Sequence, residues 1–151
     1  MLSLVWFKRD LRVHDHPALV QAAGAGAVLP VWIAEPEQWA QPDASARHWA
    51  FLDESLRSLR ADLAALGQPL ILRTGDAVEV LARLQAKHGF TRIVTHPETG
   101  SAWARARQDR VADWARGRGL DWQVVAEEGE GPVLAPPALA PVAEATGALP
   151  G

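Results

Sequence analysis

The chain has 151 residues, the size of one ordinary domain; it is 48% hydrophobic and 22% charged, and its formal net charge of −3 argues against a protein that coats nucleic acid electrostatically. It has no cysteine, which excludes disulfides, thiolate metal sites and cysteine nucleophiles. No apolar run approaches the length of a membrane span, and the first apolar run precedes its charges, Lys8-Arg9-Asp10, the wrong order for a signal peptide; a soluble, cytoplasmic protein with no membrane partner is the expectation.

Leu4 to Phe7 is a short apolar run closed by charges, which predicts a buried strand. Pro17 opens a helix capped by Asp15 or His16, and Gly24 and Gly26 end it. Ala27 to Ala34 predicts a second buried strand; Pro30 has no N–H to give a ladder, so the strand is expected to begin after it. Trp49, Leu52, Leu56, Leu59, Leu63 and Leu66 then recur at alternating steps of three and four, one face of a helix over 45–66. The first five of these are the predicted core of that helix, and Gly67 and Pro69 end it.

Leu70-Ile71-Leu72 predicts a third strand. Asp76 with Glu79 three residues on makes a capping-box-like start to a helix carrying Val78, Leu81 and Leu84 and ending near Gly89. Thr91 to Thr95 is a fourth strand. Ser101 caps a helix running to about Arg118. Its arginines, Arg105, Arg107, Arg110, Arg116 and Arg118, are expected on a solvated face, the last two complementing the helix dipole. Asp121 to Val125 is a fifth strand. Most of the seven tryptophans are expected to be core or interface anchors. Residues 129–151 hold five prolines and no Lys or Arg, and show no hydrophobic period. The chain therefore divides into an α/β domain over 1–128 and an extended or disordered tail over 129–151.

Strands that alternate with helices make a parallel sheet covered on both faces. With right-handed crossovers, the fold class is α/β: a doubly wound, Rossmann-like three-layer sandwich with a five-stranded parallel sheet. In such folds ligands bind beyond the carboxyl ends of the strands, where strand order reverses. The loops there are Lys8 to Arg12, Glu35 to Glu37, Arg73 to Asp76 and His96 to Gly100, and a polar crevice is expected from Arg9, Asp10, Glu35, Gly75, Asp76 and Glu98. Plainer roles compete: Lys8 to Arg12 as a solvated loop, Gly75-Asp76 as a turn and a helix cap. His14 and His16 alone do not supply a metal site, and capping or exposure is expected of them. No Walker loop, G-x-G-x-x-G after the first strand, G-x-S-x-G elbow or zinc-protease helix is present.

Val5-Trp6-Phe7-Lys8-Arg9-Asp10-Leu11-Arg12-Val13-His14-Asp15-His16-Pro17-Ala18-Leu19 resembles the opening of DNA photolyases and cryptochromes, W-F-x-R-D-L-R-x-x-D-N-P-A-L. Arg47, Phe51-Leu52, Ser55-Leu56 and Leu59 are similar to the family's R-x-x-x-F-L-x-x-S-L-x-x-L pattern. Pro69-Leu70, Gly75-Asp76 and His96-Pro97-Glu98-Thr99-Gly100 continue the likeness, which covers about residues 2–126. His16 stands where the family usually has Asn. The resemblance implies the N-terminal domain of such a protein, which can hold an antenna chromophore; the residues it points to are Phe7, Lys8, Arg9, Asp10, Glu35, Arg47, Phe51, Gly75, Asp76 and Glu98. A deazaflavin or flavin is favoured over a folate, because Ser101-Ala102-Trp103-Ala104 lacks the Asn-Glu pair tied to folate in one branch. FAD and damaged DNA are implied only through the family's helical C-terminal catalytic domain, so this chain alone is expected to be inactive in repair. Its partner would be that domain or another chain. The alternatives are a non-catalytic interaction module with a vestigial crevice and a small nucleotide-binding protein.

Overall fold

The computed structural model describes residues 1–39, 46–127 and 131–142. In chain order its elements are β1 (Leu2–Phe7), α1 (Pro17–Ala25), β2 (Ala27–Ala34), α2 (Pro36–Trp39), α3 (Ala46–Leu66), β3 (Ile71–Thr74), α4 (Ala77–His88), β4 (Arg92–Thr95), α5 (Ala102–Gly117) and β5 (Asp121–Val124). All strand pairs are parallel, in the order β3-β2-β1-β4-β5. This is the expected three-layer α/β sandwich, with the order reversing between β1 and β4.

The pleat sends successive side chains to opposite faces, and two cores follow from it. Leu4 and Trp6 of β1 join Leu29, Val31 and Ile33 of β2 under α4 and α5, against Leu81, Leu84, Val111 and Ala115. Val5 and Phe7 join Val28 and Trp32 under α1 and α3, against Leu19, Leu59 and Leu63. Leu56, Leu59 and Leu63 are buried as their spacing predicts, while Leu52 is half-buried. The side chains of Trp49 and Arg47 lie outside the described residues.

Two local expectations change. Pro30 lies inside β2, because β2 pairs with β1 from Ala27 to Trp32 while β3 joins only at Val31. At Pro30 the strand therefore has one neighbour, and its missing N–H is tolerated as on an edge. The loop after β2 contains the short helix α2, started by Pro36 at a first-turn position and closed by Gln38 N–H donating to the Glu35 carbonyl at 2.9 Å. Ser101 and Asp76 cap α5 and α4 as predicted, accepting from Ala104 and Glu79 N–H. His16, not Asp15, caps α1.

Residues 131–142 carry no helix or strand and run along the body as a strap. Asp15 N–H donates to the Leu134 carbonyl, Leu139 N–H to the Leu66 carbonyl, both at 2.8 Å, and Val142 N–H to Gln68 Oε1 at 2.6 Å. Leu139 is buried in the α1/α3 core.

Candidate functional site

The carboxyl ends of β1, β2 and β4 open onto a crevice of about 460 Å³, within the range of small-molecule sites. After β1 the chain turns to α1 on one face of the sheet, and after β4 to α5 on the other, which parts the two loops. Trp6, Phe7, Trp32 and Ile33 line the crevice from the strands, Phe51 and Leu52 from α3, and Lys8, Arg9, Glu35, Glu98 and Arg107 supply its charges. Phe51 is 73% exposed, an aromatic ring with little protein against it.

The charges form one buried chain. Arg107, 4% exposed, pairs through Nη1 with Glu35 and through Nη2 with Glu98 at 3.2 Å. Its guanidinium lies 5.0 Å from the Trp6 ring and 5.2 Å from the Trp103 ring, two cation–π contacts. Lys8 Nζ donates to the His96 carbonyl at 2.7 Å and to Gln108 Oε1, and stands 4.0 Å from Glu98. Burial pushes the Lys8 ammonium down to about 8, against the pull of Glu98 and Asp10. Burial likewise pushes the Glu35 carboxyl up to about 7, outweighing Arg107.

Asp10 is buried beneath the crevice. Its Oδ1 accepts the Lys8 N–H at 2.8 Å, and its Oδ2 faces His96 Nδ1 at 2.7 Å and His16 Nε2 at 2.8 Å, the latter in poorer line for a hydrogen bond. The other nitrogen of each ring accepts a backbone N–H from the first turn of α1: Leu19 to His16 Nδ1 at 3.0 Å, Ala18 to His96 Nε2 at 3.1 Å. Those donors set the neutral tautomers, with the remaining N–H of each ring turned to Asp10. Burial alone would raise the Asp10 pKa, but the two imidazoles and the Lys8 amide outweigh it and hold the carboxyl well below the usual range. Burial pulls His16 below its ordinary value, against Asp10. These three side chains also group as metal-ligand types. Their contacts, however, are at hydrogen-bond distance, closer than neighbouring ligands around one cation of zinc size, so the network is closed without a metal.

Of the predicted site residues, the fold brings Phe7, Lys8, Arg9, Glu35, Phe51 and Glu98 to the crevice. Asp10 supports its floor. Gly75 and Asp76 are elsewhere: β3 is an edge strand, Gly75 makes a turn at φ 141°, and Asp76 caps α4 and pairs with Arg110 at 3.2 Å. The loop after β1 is not solvated throughout, since Lys8 and Asp10 are buried and only Arg9 and Arg12 among its charges face outward. The run of arginines along α5 predicts a solvated face for Arg107, but in the structure it is buried against Glu35 and Glu98. The signal was the spacing of Ala104, Arg107, Val111 and Ala115, which places Arg107 on the apolar stripe of α5. His16 and His96 were likewise missed as a buried pair.

A protein-family model described as DNA photolyase matches residues 3–138. Cryptochrome-1 of Sinapis alba is 40% identical over 95 residues, 61% of this chain and 19% of that protein. The deoxyribodipyrimidine photo-lyase of Escherichia coli K12 is 36% identical over 96 residues, 60% of this chain and 20% of that protein. The crystal structure of a class III photolyase from Agrobacterium tumefaciens superposes with a TM-score of 0.72 at 31% identity, covering 82% of this chain and 25% of that one. The match thus spans about a fifth of the length of these two curated relatives.

Proposed function

The chain belongs to the DNA photolyase family, and on that footing we propose that its crevice holds a planar, light-absorbing chromophore, as the antenna site of an N-terminal photolyase domain. The observation that carries this reading is the aromatic lining. Trp6, Phe7 and Trp32 form apolar walls, the exposed ring of Phe51 stands at the mouth, and the Glu35–Arg107–Glu98–Lys8 chain supplies polar groups along one side. Apolar walls with a few fixed polar groups suit a fused-ring ligand with heteroatoms on its edges. The start of α5, Ser101-Ala102-Trp103-Ala104, still lacks the Asn-Glu pair tied to folate, so a deazaflavin or flavin is favoured.

In this role the bound chromophore passes excitation to an FAD held by the helical domain that follows in the family, or by another chain. Damaged DNA is engaged only together with that partner. This chain contributes binding and orientation.

The test is a titration of the purified chain with riboflavin, FMN and a deazaflavin, read by quenching of ligand fluorescence. Saturable binding that weakens about threefold to tenfold in Phe51→Ala, the range of one aromatic contact, is the expected result. Binding of adenine nucleotides with no response to flavin or deazaflavin would overturn the reading in favour of a nucleotide-binding protein.

A further inference from the structure

Arg9 stands apart from the other charges of the crevice. Lys8, Glu35, Glu98 and Arg107 are buried and engaged with one another. Arg9 lines the same crevice, is exposed, and makes no hydrogen bond or ion pair among the described residues. The nearby carboxylate, Glu98, is already occupied by Arg107 on one oxygen and by the Gly100 N–H, at 3.1 Å, on the other.

Gly100 makes room for this guanidinium. Its backbone is not in the left-handed region, so conformation does not call for glycine there. The guanidinium occupies the space a side chain would take: a Cβ would sit 2.8 Å from Arg9 Nη2, 3.0 Å from Arg9 Cζ and 2.9 Å from Glu98 Oε1, and would push the ends of those side chains aside. The missing side chain lets the arginine lie against the β4–α5 loop.

We propose that Arg9, seated over Gly100, is an anion-reading residue at the mouth of the crevice, so that the ligand is a chromophore whose side chain ends in a phosphate. This rests on the chromophore reading above and adds the ligand's class. A guanidinium offers a planar fork of donors that matches phosphate oxygens. Arg9 lines the crevice and is exposed, so a polar ligand side chain that extends from the aromatic lining towards solvent can meet it. The buried charges are already neutralised in pairs, so this cation alone among the described lining charges is available to a ligand anion.

The experiment uses FMN and riboflavin, which differ only by the phosphate, with the full chain. The readout is the ratio of their dissociation constants, which cancels changes in ring binding. At low ionic strength FMN binds about tenfold tighter than riboflavin, the worth of one charged hydrogen bond, and the advantage shrinks in high salt. The ratio falls towards one in Arg9→Gln and is partly kept in Arg9→Lys. Gly100→Ala lowers it too, by displacing the guanidinium. Equal binding of FMN and riboflavin by the unaltered chain, or an FMN advantage that survives Arg9→Gln, overturns this proposal and leaves the chromophore reading standing. Failure of both flavins and of the deazaflavin to bind overturns both.

Discussion

Replacing Asp10 by asparagine keeps its volume and removes its charge, at a position surrounded by donors. The carboxylate accepts the Lys8 N–H at 2.8 Å on one oxygen and faces His96 Nδ1 at 2.7 Å and His16 Nε2 at 2.8 Å with the other. An amide has one acceptor oxygen. Turned to the histidines, it sets its NH2 against the Lys8 N–H; turned the other way, it sets NH2 against two imidazoles. Neither imidazole can change tautomer without presenting N–H to the Ala18 or Leu19 amide. The cheaper orientation loses one charge-assisted hydrogen bond, about 1.5–3 kcal/mol, and opposes two donors. Relief of the buried charge works in the other direction, but Asp10 is held ionised far below the usual range, so attraction outweighs desolvation. Asp10→Asn should therefore cost about 2–4 kcal/mol, a fall in Tm of roughly 5–15 °C for a chain of this size. Urea and thermal unfolding followed by tryptophan fluorescence at pH 7 measure it, through buried Trp6 and Trp32. A change within about 0.5 kcal/mol, as for a surface site, or a gain, would show that desolvation is the larger effect and that the network does not hold the loop.

The pH dependence carries two opposed contributions. His16, depressed in the fold, contributes stability that is present above its unfolded pKa of about 6.5 and lost as pH falls below it. Glu35, raised to about 7, binds its proton more tightly in the fold, so stability falls as pH rises from about 4.5 to 7. Between pH 5 and 6.5 the two oppose each other, and Glu35→Gln should steepen the loss of stability on acidification; urea midpoints at several pH values that show a shallower acid limb in the variant would refute the assignment. Leu63→Ala, at a fully buried position of α3, should cost about 2–5 kcal/mol by denaturant unfolding, and a surface-like change would mean that the strap or α1 closes the cavity. Gly67→Ala should loosen the strap, because Gly67 has φ 125° and a Cβ there would collide with the Leu139 carbonyl oxygen. Faster limited proteolysis within 131–142 with the α/β body intact is the expected pattern, and unchanged cleavage kinetics would contradict it.

Much of this architecture is written in short-range pattern. The apolar runs, the three-and-four spacing of Leu52, Leu56, Leu59 and Leu63, and the caps at Asp76 and Ser101 each act within one element. They determine strands and helices, and their alternation determines a parallel sheet. The contiguous Val5 to Leu19 stretch carried the resemblance to the family, and the strand-end loops and the α3 pattern pointed to Phe7, Lys8, Arg9, Glu35, Phe51 and Glu98, which the fold brings to one crevice. Strand order was decided only by tertiary packing. It set β3 at an edge, which removed Gly75 and Asp76 from the crevice, and it gave Pro30 a single neighbour. Packing also buried an arginine that local chemistry assigns to solvent: two carboxylates, one after β2 and one after β4, and two indoles together replace the water around Arg107. The Asp10–His16–His96 network has the same origin, since Asp10 and His96 are 86 residues apart and meet only because β4 pairs with β1. A buried charge is stable only when its partners converge on it from several elements, and that convergence is a property of the folded chain rather than of any segment.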